Sequence, residues 1–376
     1  NRRIAMNIGS VRFRAEIFVN HQLAGYDLVN STPFSIDITP FIEPGKKNVI
    51  TFRITDPNGN FNWKDSQGYT WGVYRTNPSH GFGGITGKVE LEATGKLYVK
   101  DVFIKNQPEP HTIEVEVRAA NETGTSVTNK ELCLEIKEHP NGQTVYRKNV
   151  RLESLKEGEN LQTYQIKVPN AHLWSVDSPR LYDLKISLND DAVTERFGFR
   201  WFEINDVKGD RQFFLNGKRI VLRTAISWGF WPYNGITPSD ELAKRQITIA
   251  KELGLNMLNF HRNIGQTNIL DYADELGLLY FEEPGGNQYP IKNFNDNDKQ
   301  SNFYFAYRNE KLARMVKRDR NHPSLIIYNL HNERGAYPQT QDYDQMRMAH
   351  ALDPTRILTY NSSNGENPAE EHNTRF

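Results

Sequence analysis

The sequence predicts a multidomain protein: two β-rich domains followed by an α/β domain built on a parallel sheet. Three observations carry this. The 376 residues are enough for two to three domains. Short segments of alternating apolar and polar residues fill the first two hundred positions. Beyond residue 203, apolar strand-like runs alternate with amphipathic helices, the pattern of strands joined by crossover helices.

In the first β region, residues 1–98, VRFRAEIFVN, PFSIDI, NVITFRI and GKVELEA read as strands, with EPGKK and DPNGN as turns between them. The second, residues 99–202, is entered by KLYVKDVFIKN (96–106) and contains TIEVEVRAA, ELCLEIKEH, TYQIKV and YDLKISLND. About seven short strands in a hundred residues predict an immunoglobulin-like sandwich. Only its architecture is implied, because the Cys-Trp-Cys pattern of antibody domains is absent.

In residues 203–376, RQFFLNGKRIVLRTAIS reads as a hairpin followed by a buried strand. SDELAKRQITIAKELG is a helix, capped by Ser239 and ended by Gly254. LNMLNFHR, LLYFEEP, SLIIYNLHNE and RILTYNSS are further strands. TNILDYADELG, NEKLARMVKRDRN and TQDYDQMRMAHALD are the helices between them. Five strands and four helices fit a (β/α)8 barrel seen in part, or an open doubly wound sheet. A dinucleotide fold would need G-x-G-x-x-G after its first strand, where the chain has the aromatic WGFWPYNGITPS.

Composition narrows the function. Lys plus Arg equals Asp plus Glu at 46 each, which lowers the expectation of a nucleic-acid partner. No run approaches 18 apolar residues, so no membrane-spanning helix is expected. The lone Cys133 excludes an internal disulfide and a cysteine-based zinc cluster. Neither a P-loop, a G-x-S-x-G elbow nor an H-x-x-x-H pair occurs, so no cofactor or metal is expected. The chain opens on Asn1 without a signal-like apolar run and reads as part of a longer frame. Localisation is therefore open, with export a possibility.

Active-site groups of parallel barrels sit where strands end and loops begin. Polar side chains gather there: Arg223, Ser227 and Trp228 after the first strand, with Phe230, Trp231 and Tyr233 in its loop. Asn259, His261 and Arg262 follow the second, Glu282 and Glu283 the third, Asn329, His331, Asn332 and Glu333 the fourth, and Tyr360 and Asn361 the fifth. Carboxylates among amides and aromatic rings suit sugar chemistry. One carboxyl protonates a leaving oxygen, another attacks or activates water, and rings stack on the apolar face of a pyranose.

HPSLIIYNLHNE, from His322 to Glu333, resembles the acid/base signature of glycoside hydrolase family 2, the family of β-galactosidases, β-glucuronidases and β-mannosidases. FGFRWFE (197–203) resembles that family's join between sandwich and barrel, and FLNGKRIVLR (214–223) its approach to the first barrel strand. The resemblance implies a jelly-roll sugar-binding domain over 1–98, an immunoglobulin-like sandwich over 99–202 and a truncated TIM barrel over 203–376. It implies a retaining, β-galactosidase-like enzyme with Glu333 as general acid/base and Asn332 on the sugar 2-hydroxyl. His331, Glu283, His261, Arg262, Arg223 and Trp228 would bind substrate. The nucleophile, a Glu ending the seventh strand, is expected outside this span, which alone is expected to be inactive. The implied partner is a β-linked carbohydrate; a homo-oligomer is compatible. Asn259 stands where the family usually has Arg, His331 where it has Gly, and Thr224 where Gly often follows the Arg. These departures keep open a non-catalytic carbohydrate-binding protein on the same fold. A third reading is an open α/β protein fused to two adhesion-type sandwiches.

Overall fold

The computed structural model describes residues 2–55, 69–71, 74–76, 83–227, 237–285, 299–332 and 340–362. In the first β region, Arg3–Ile8 pairs antiparallel with Val89–Thr94 and Phe34–Asp37, and Arg14–Val19 with Gln22–Asp27 and Ile50–Thr55. Met6, Ile8, Ala15, Ile17 and Val19 meet in one core between these sheets.

The second β region is a sandwich of one three-stranded and one four-stranded antiparallel sheet. Alternation decides which side chains fill it. In Thr112–Asn121, Ile113, Val115 and Val117 point inward and are fully buried, facing Leu132, Leu134 and Ile136 of Val127–His139. The intervening Glu114 and Glu116 point outward and pair with Lys105.

The C-terminal region contains strands β1 (Thr224–Ser227), β2 (Met257–Phe260), β3 (Leu279–Glu282), β4 (Leu325–His331) and β5 (Ile357–Asn361). Between them lie helices α1 (Asp240–Glu252), α2 (Thr267–Leu276), α3 (Lys299–Asp319) and α4 (Thr340–Leu352). All neighbouring strands are parallel, in the order β1-β2-β3-β4-β5. A doubly wound sheet reverses its order at a switch point. Sequential order with crossovers of one hand keeps the helices on one face, as in a barrel wall.

That helix-facing side is sealed by Ile247 of α1, Ile269 and Leu270 of α2, Met315 of α3 and Met346 of α4 against Phe260, Tyr280 and Tyr328. The opposite face, at the feet of the strands, packs Met257, Leu279 and Ile326 against Trp174, Phe202 and Leu215. The sandwich linker and the hairpin of Phe202–Val207 and Asp210–Leu215 thus floor the sheet. One expectation fails: β1 is not buried. It is an edge strand of the described sheet, and Ile226 is 58% exposed.

The helix ends follow local chemistry. Ser239 Oγ accepts the Leu242 N–H, with Asp240 and Glu241 in the first turn. Gly277 ends α2 at φ +77, and a Cβ there would lie 2.3 Å from the Val176 carbonyl oxygen. Conformation and space both demand glycine.

The foot of β4 is the densest junction. Asp274 of α2 accepts the His322 Nδ1 proton at 2.6 Å and the Ser324 N–H at 2.9 Å, while its backbone carbonyl takes the Trp174 indole N–H at 2.8 Å. Arg200 donates to the carbonyls of Pro323 and Leu325. Asn321 bonds the backbone of Val102 and Ile104 in the sandwich. Burial pushes the His322 pKa down, but the charge and hydrogen bond of Asp274, backed by Asp319 and Asp271, carry it up to about 9.

The raised pKa sets the sign of a pH effect. The folded state holds the His322 proton more tightly, so this contribution is complete below pH 6.5 and disappears as pH rises through about 9. The expected outcome is that a denaturant midpoint falls between pH 6 and pH 9.5 more steeply in the native sequence than in His322→Gln. Equal slopes would show that the pair does not couple to folding.

Candidate active site

The strands of this sheet are apolar along most of their length and change character where they end. Asn259 lies in β2, His261 and Arg262 follow it, Glu283 follows β3, and Asn329 lies in β4. Thr359 is in β5, while Asn332 and Ser362 follow β4 and β5. These residues converge on Glu283, which is 1% exposed.

Glu283 accepts the Arg262 N–H on Oε2 at 3.0 Å. Arg262 can aim this N–H because its φ is +59, a left-handed conformation uncommon outside glycine. The polar side chains of Ser362, Asn259 and Asn329 lie around the carboxylate. Burial pushes its pKa up, the Arg262 N–H and these polar neighbours hold it back, and the balance stands at about 7. His261 Nδ1 lies 3.8 Å from Glu283 Oε1, and the His261 backbone N–H donates to the Ser227 carbonyl. Thr359 Oγ1 donates to Asn329 Oδ1 at 2.7 Å, and Ser362 Oγ to Asn332 Oδ1 at 2.9 Å.

Glu283 Oε1, Asn259 Oδ1 and Asn332 Nδ2 are buried on this rim without a hydrogen-bond partner among the described residues. An unmet buried polar atom costs free energy unless something else satisfies it. Together they offer two acceptors and one donor, which suits a polyhydroxylated ligand. A carboxyl poised near neutrality can also accept or donate a hydrogen bond to a hydroxyl.

The expected site residues do not all meet here. Arg223 was expected at this rim and is at the other end of the sheet. It precedes β1, and its guanidinium Nε donates to the carbonyl of Gly254, just after α1. The strand begins after Arg223 rather than ending on it. His331 was expected to face substrate. Instead its ring is 1% exposed and held by Asp342 of α4 at 2.9 Å and by Arg308 of α3, edge-on to Tyr360. Arg308 and Asp342 are both buried and also pair directly at 3.6 Å, so the imidazole sits inside a buried charge-paired network.

Glu282 points to the opposite side of the strand from Glu283, as adjacent strand residues must. It accepts the Gly265 N–H at 2.8 Å and lies 3.4 Å from Arg318 of α3. Glu333, Trp228, Phe230, Trp231 and Tyr233 lie outside the described residues. Thr359 and Ser362 escaped the sequence reading. Alternation along ILTYNSS was the available signal, since it turns Thr359 away from the buried Leu358 and Tyr360. Among the described residues no cluster of three or more His, Cys, Asp or Glu could hold a metal ion.

Burial of Glu283 has its own consequence. Its pKa is above the ordinary 4.5, so the folded state favours its proton and pays for ionisation as pH rises from 4.5 through about 7. Relative to the native sequence, Glu283→Gln is expected to gain stability between pH 5 and pH 8. Denaturant midpoints at the two pH values measure this, and a constant difference would show that Glu283 ionises freely.

Two family models match the chain in tandem. Glycosyl hydrolases family 2 matches residues 97–200, and glycosyl hydrolases family 2, TIM barrel domain, matches residues 206–374. A β-galactosidase of Thermoanaerobacter pseudethanolicus is 28% identical over 358 residues, covering 91% of this chain and 44% of that protein. A crystal structure of a family 2 member from Bacteroides cellulosilyticus superposes with a TM-score of 0.78 at 23% identity, over 96% of this chain and 48% of that one. A Bacteroides uniformis β-glucuronidase superposes with a TM-score of 0.76 at 23% identity, over 96% of this chain and 44% of that one. The chain therefore spans less than half the length of the curated relatives it matches. With two tandem models of one family spanning most of its length and relatives that share its fold throughout, this chain belongs to glycosyl hydrolase family 2.

Proposed function

We propose that this chain contributes a jelly-roll sugar-binding domain, an immunoglobulin-like sandwich and the first five strands of a TIM barrel to a retaining β-glycosidase. The substrate class is a terminal β-linked sugar, with a β-galactoside favoured. The single observation that carries this is the buried Glu283, ringed by Asn259, Asn329 and Ser362, with the donor of Asn332 unmet beside it. Glu333 follows Asn332 directly in the sequence.

In this reading, Asn332 Nδ2 and Glu283 Oε1 bind hydroxyl groups of the sugar at the reacting position. Glu333 donates its proton to the glycosidic oxygen as the bond to C1 breaks. A carboxylate supplied by barrel strands after the fifth attacks C1 and forms a glycosyl-enzyme. Glu333, now ionised, takes a proton from water as that water displaces the enzyme carboxylate. Retention needs the two carboxyl groups about 5–5.5 Å apart. Names of relatives include both β-galactosidase and β-glucuronidase, so the sugar is settled by substrate panels rather than by kinship.

The test is Glu333→Gln in the complete protein. Glycosides with poor leaving groups should lose about 10²–10⁴-fold in the first step, the range typical of general acid catalysis. Aryl glycosides with acidic leaving groups need little protonation, so their glycosyl-enzyme should accumulate. Azide should then restore turnover, because it attacks without help from a base. Equal losses on both substrate classes without azide rescue would remove Glu333 from the acid/base role. Activity in neither the native protein nor the variant, with sugar binding intact, would favour the carbohydrate-binding alternative.

A further inference from the structure

The foot of β4 is held far more tightly than its pairing with β3 requires. Tyr280 pairs with Leu325, but Phe281 pairs with Ile327 and Glu282 with Tyr328. One residue on β3 is therefore matched by two on β4, so Ile326 is extra, a bulge at the start of the strand. A bulge leaves register open to error, because the extra residue could sit one place earlier or later. A slip of one residue turns every side chain to the opposite face.

The segment just before the bulge is gripped from several elements at once. Asp274 of α2 takes the Ser324 N–H and the His322 ring. Arg200, from the sandwich linker, takes the carbonyls on either side of Ser324, those of Pro323 and Leu325, at 2.9 and 2.8 Å. Arg356, ahead of β5, takes the His322 carbonyl at 2.9 Å, and the Tyr280 N–H takes that of Ser324 at 2.8 Å. Gly198 packs so closely that a Cβ there would lie 2.7 Å from Trp174 Cβ and 3.1 Å from Pro323 Cβ. At the other end of the strand, Asn329 and Asn332 reach the Glu283 rim.

We propose that Asp274, His322 and Arg200 form a register pin at the foot of β4, positioning residues that fix which β4 side chains face the Glu283 rim. Its catalytic consequence rests on the function proposed above; its structural consequence does not. Asp274 is the hub, because one carboxylate sets both the backbone at Ser324 and the imidazolium at His322. His322 faces Asp274 and Asp271 from α2, Asp319 from α3 and Glu195 from the sandwich, so it is surrounded by negative charge.

The experiment compares Asp274→Ala and Asp274→Asn in the complete protein. Asparagine keeps an oxygen for the Ser324 N–H; alanine keeps nothing. In Asp274→Ala, amide hydrogen exchange of residues 325–332 should accelerate by more than that of Val115 and Val117 in the sandwich core. Turnover per active site, counted with a covalent inactivator, should fall on the order of 10²-fold, the cost of misplacing reacting groups by about an ångström. KM should stay within about twofold, and Asp274→Asn should recover most of both losses. If Asp274→Ala does not fold, His322→Gln is read in the same way. Exchange that rises equally everywhere, or stays unchanged in residues 325–332, overturns the pin. Absence of turnover in the native protein would count against the proposed function, while the exchange result still decides the pin.

Discussion

The architecture turns on Asp274. Its backbone carbonyl holds the Trp174 indole that floors the sheet, and its carboxylate holds the start of β4. Trp174 is fully buried among Leu181, Phe202, Leu215, Met257 and Leu279, so the apolar floor and the polar clasp share one residue. Burying so many charged groups is favourable only where each finds a partner. Here the guanidinium groups of Arg200 and Arg356 donate to backbone carbonyls at the end of α3 and at the foot of β4.

The same constraint, a parallel sheet covered on its helix side, explains where chemistry can sit. Side chains along β2, β3 and β4 have little access to water, so polar groups survive only at the ends or in closed networks. The structure uses both solutions. His331, Arg308, Asp342 and Gln345 form a closed network behind the strand end. Glu283, Asn259 and Asn332 form an open one, with capacity left over.

Much of this was legible in the sequence, for identifiable reasons. Helices α1 and α2 read correctly because Ser239, Gly254 and Gly277 are terminal signals with direct backbone consequences, whereas α3 begins at Lys299, well before the run NEKLARMVKRDRN that reads as its helix in the sequence. Glu283 and Asn332 stood out because they follow predominantly apolar strands. Arg223 and His331 misled for different reasons. The run IVLRTAIS contains no mark of where its strand begins, so Arg223 was placed at the wrong end. His331 is a strand residue whose orientation depends on Arg308 and Asp342, far away in sequence and invisible to local pattern. The bulge at Ile326 was equally hidden, because alternation is uninformative in a strand buried throughout. The sheet order, which distinguishes a barrel wall from a doubly wound sheet, is a tertiary fact with no local signature.

In the function proposed here, the rim around Glu283 receives the sugar. The most direct measurement is a crystal structure of the complete protein carrying a trapped 2-deoxy-2-fluoro glycosyl group. The sugar ring is expected above the ends of β2 to β5, with hydroxyl oxygens within hydrogen-bond distance of Glu283 Oε1 and with Asn332 Nδ2 against the substituent at C2. A trapped sugar that leaves Glu283, Asn259 and Asn332 untouched would contradict it.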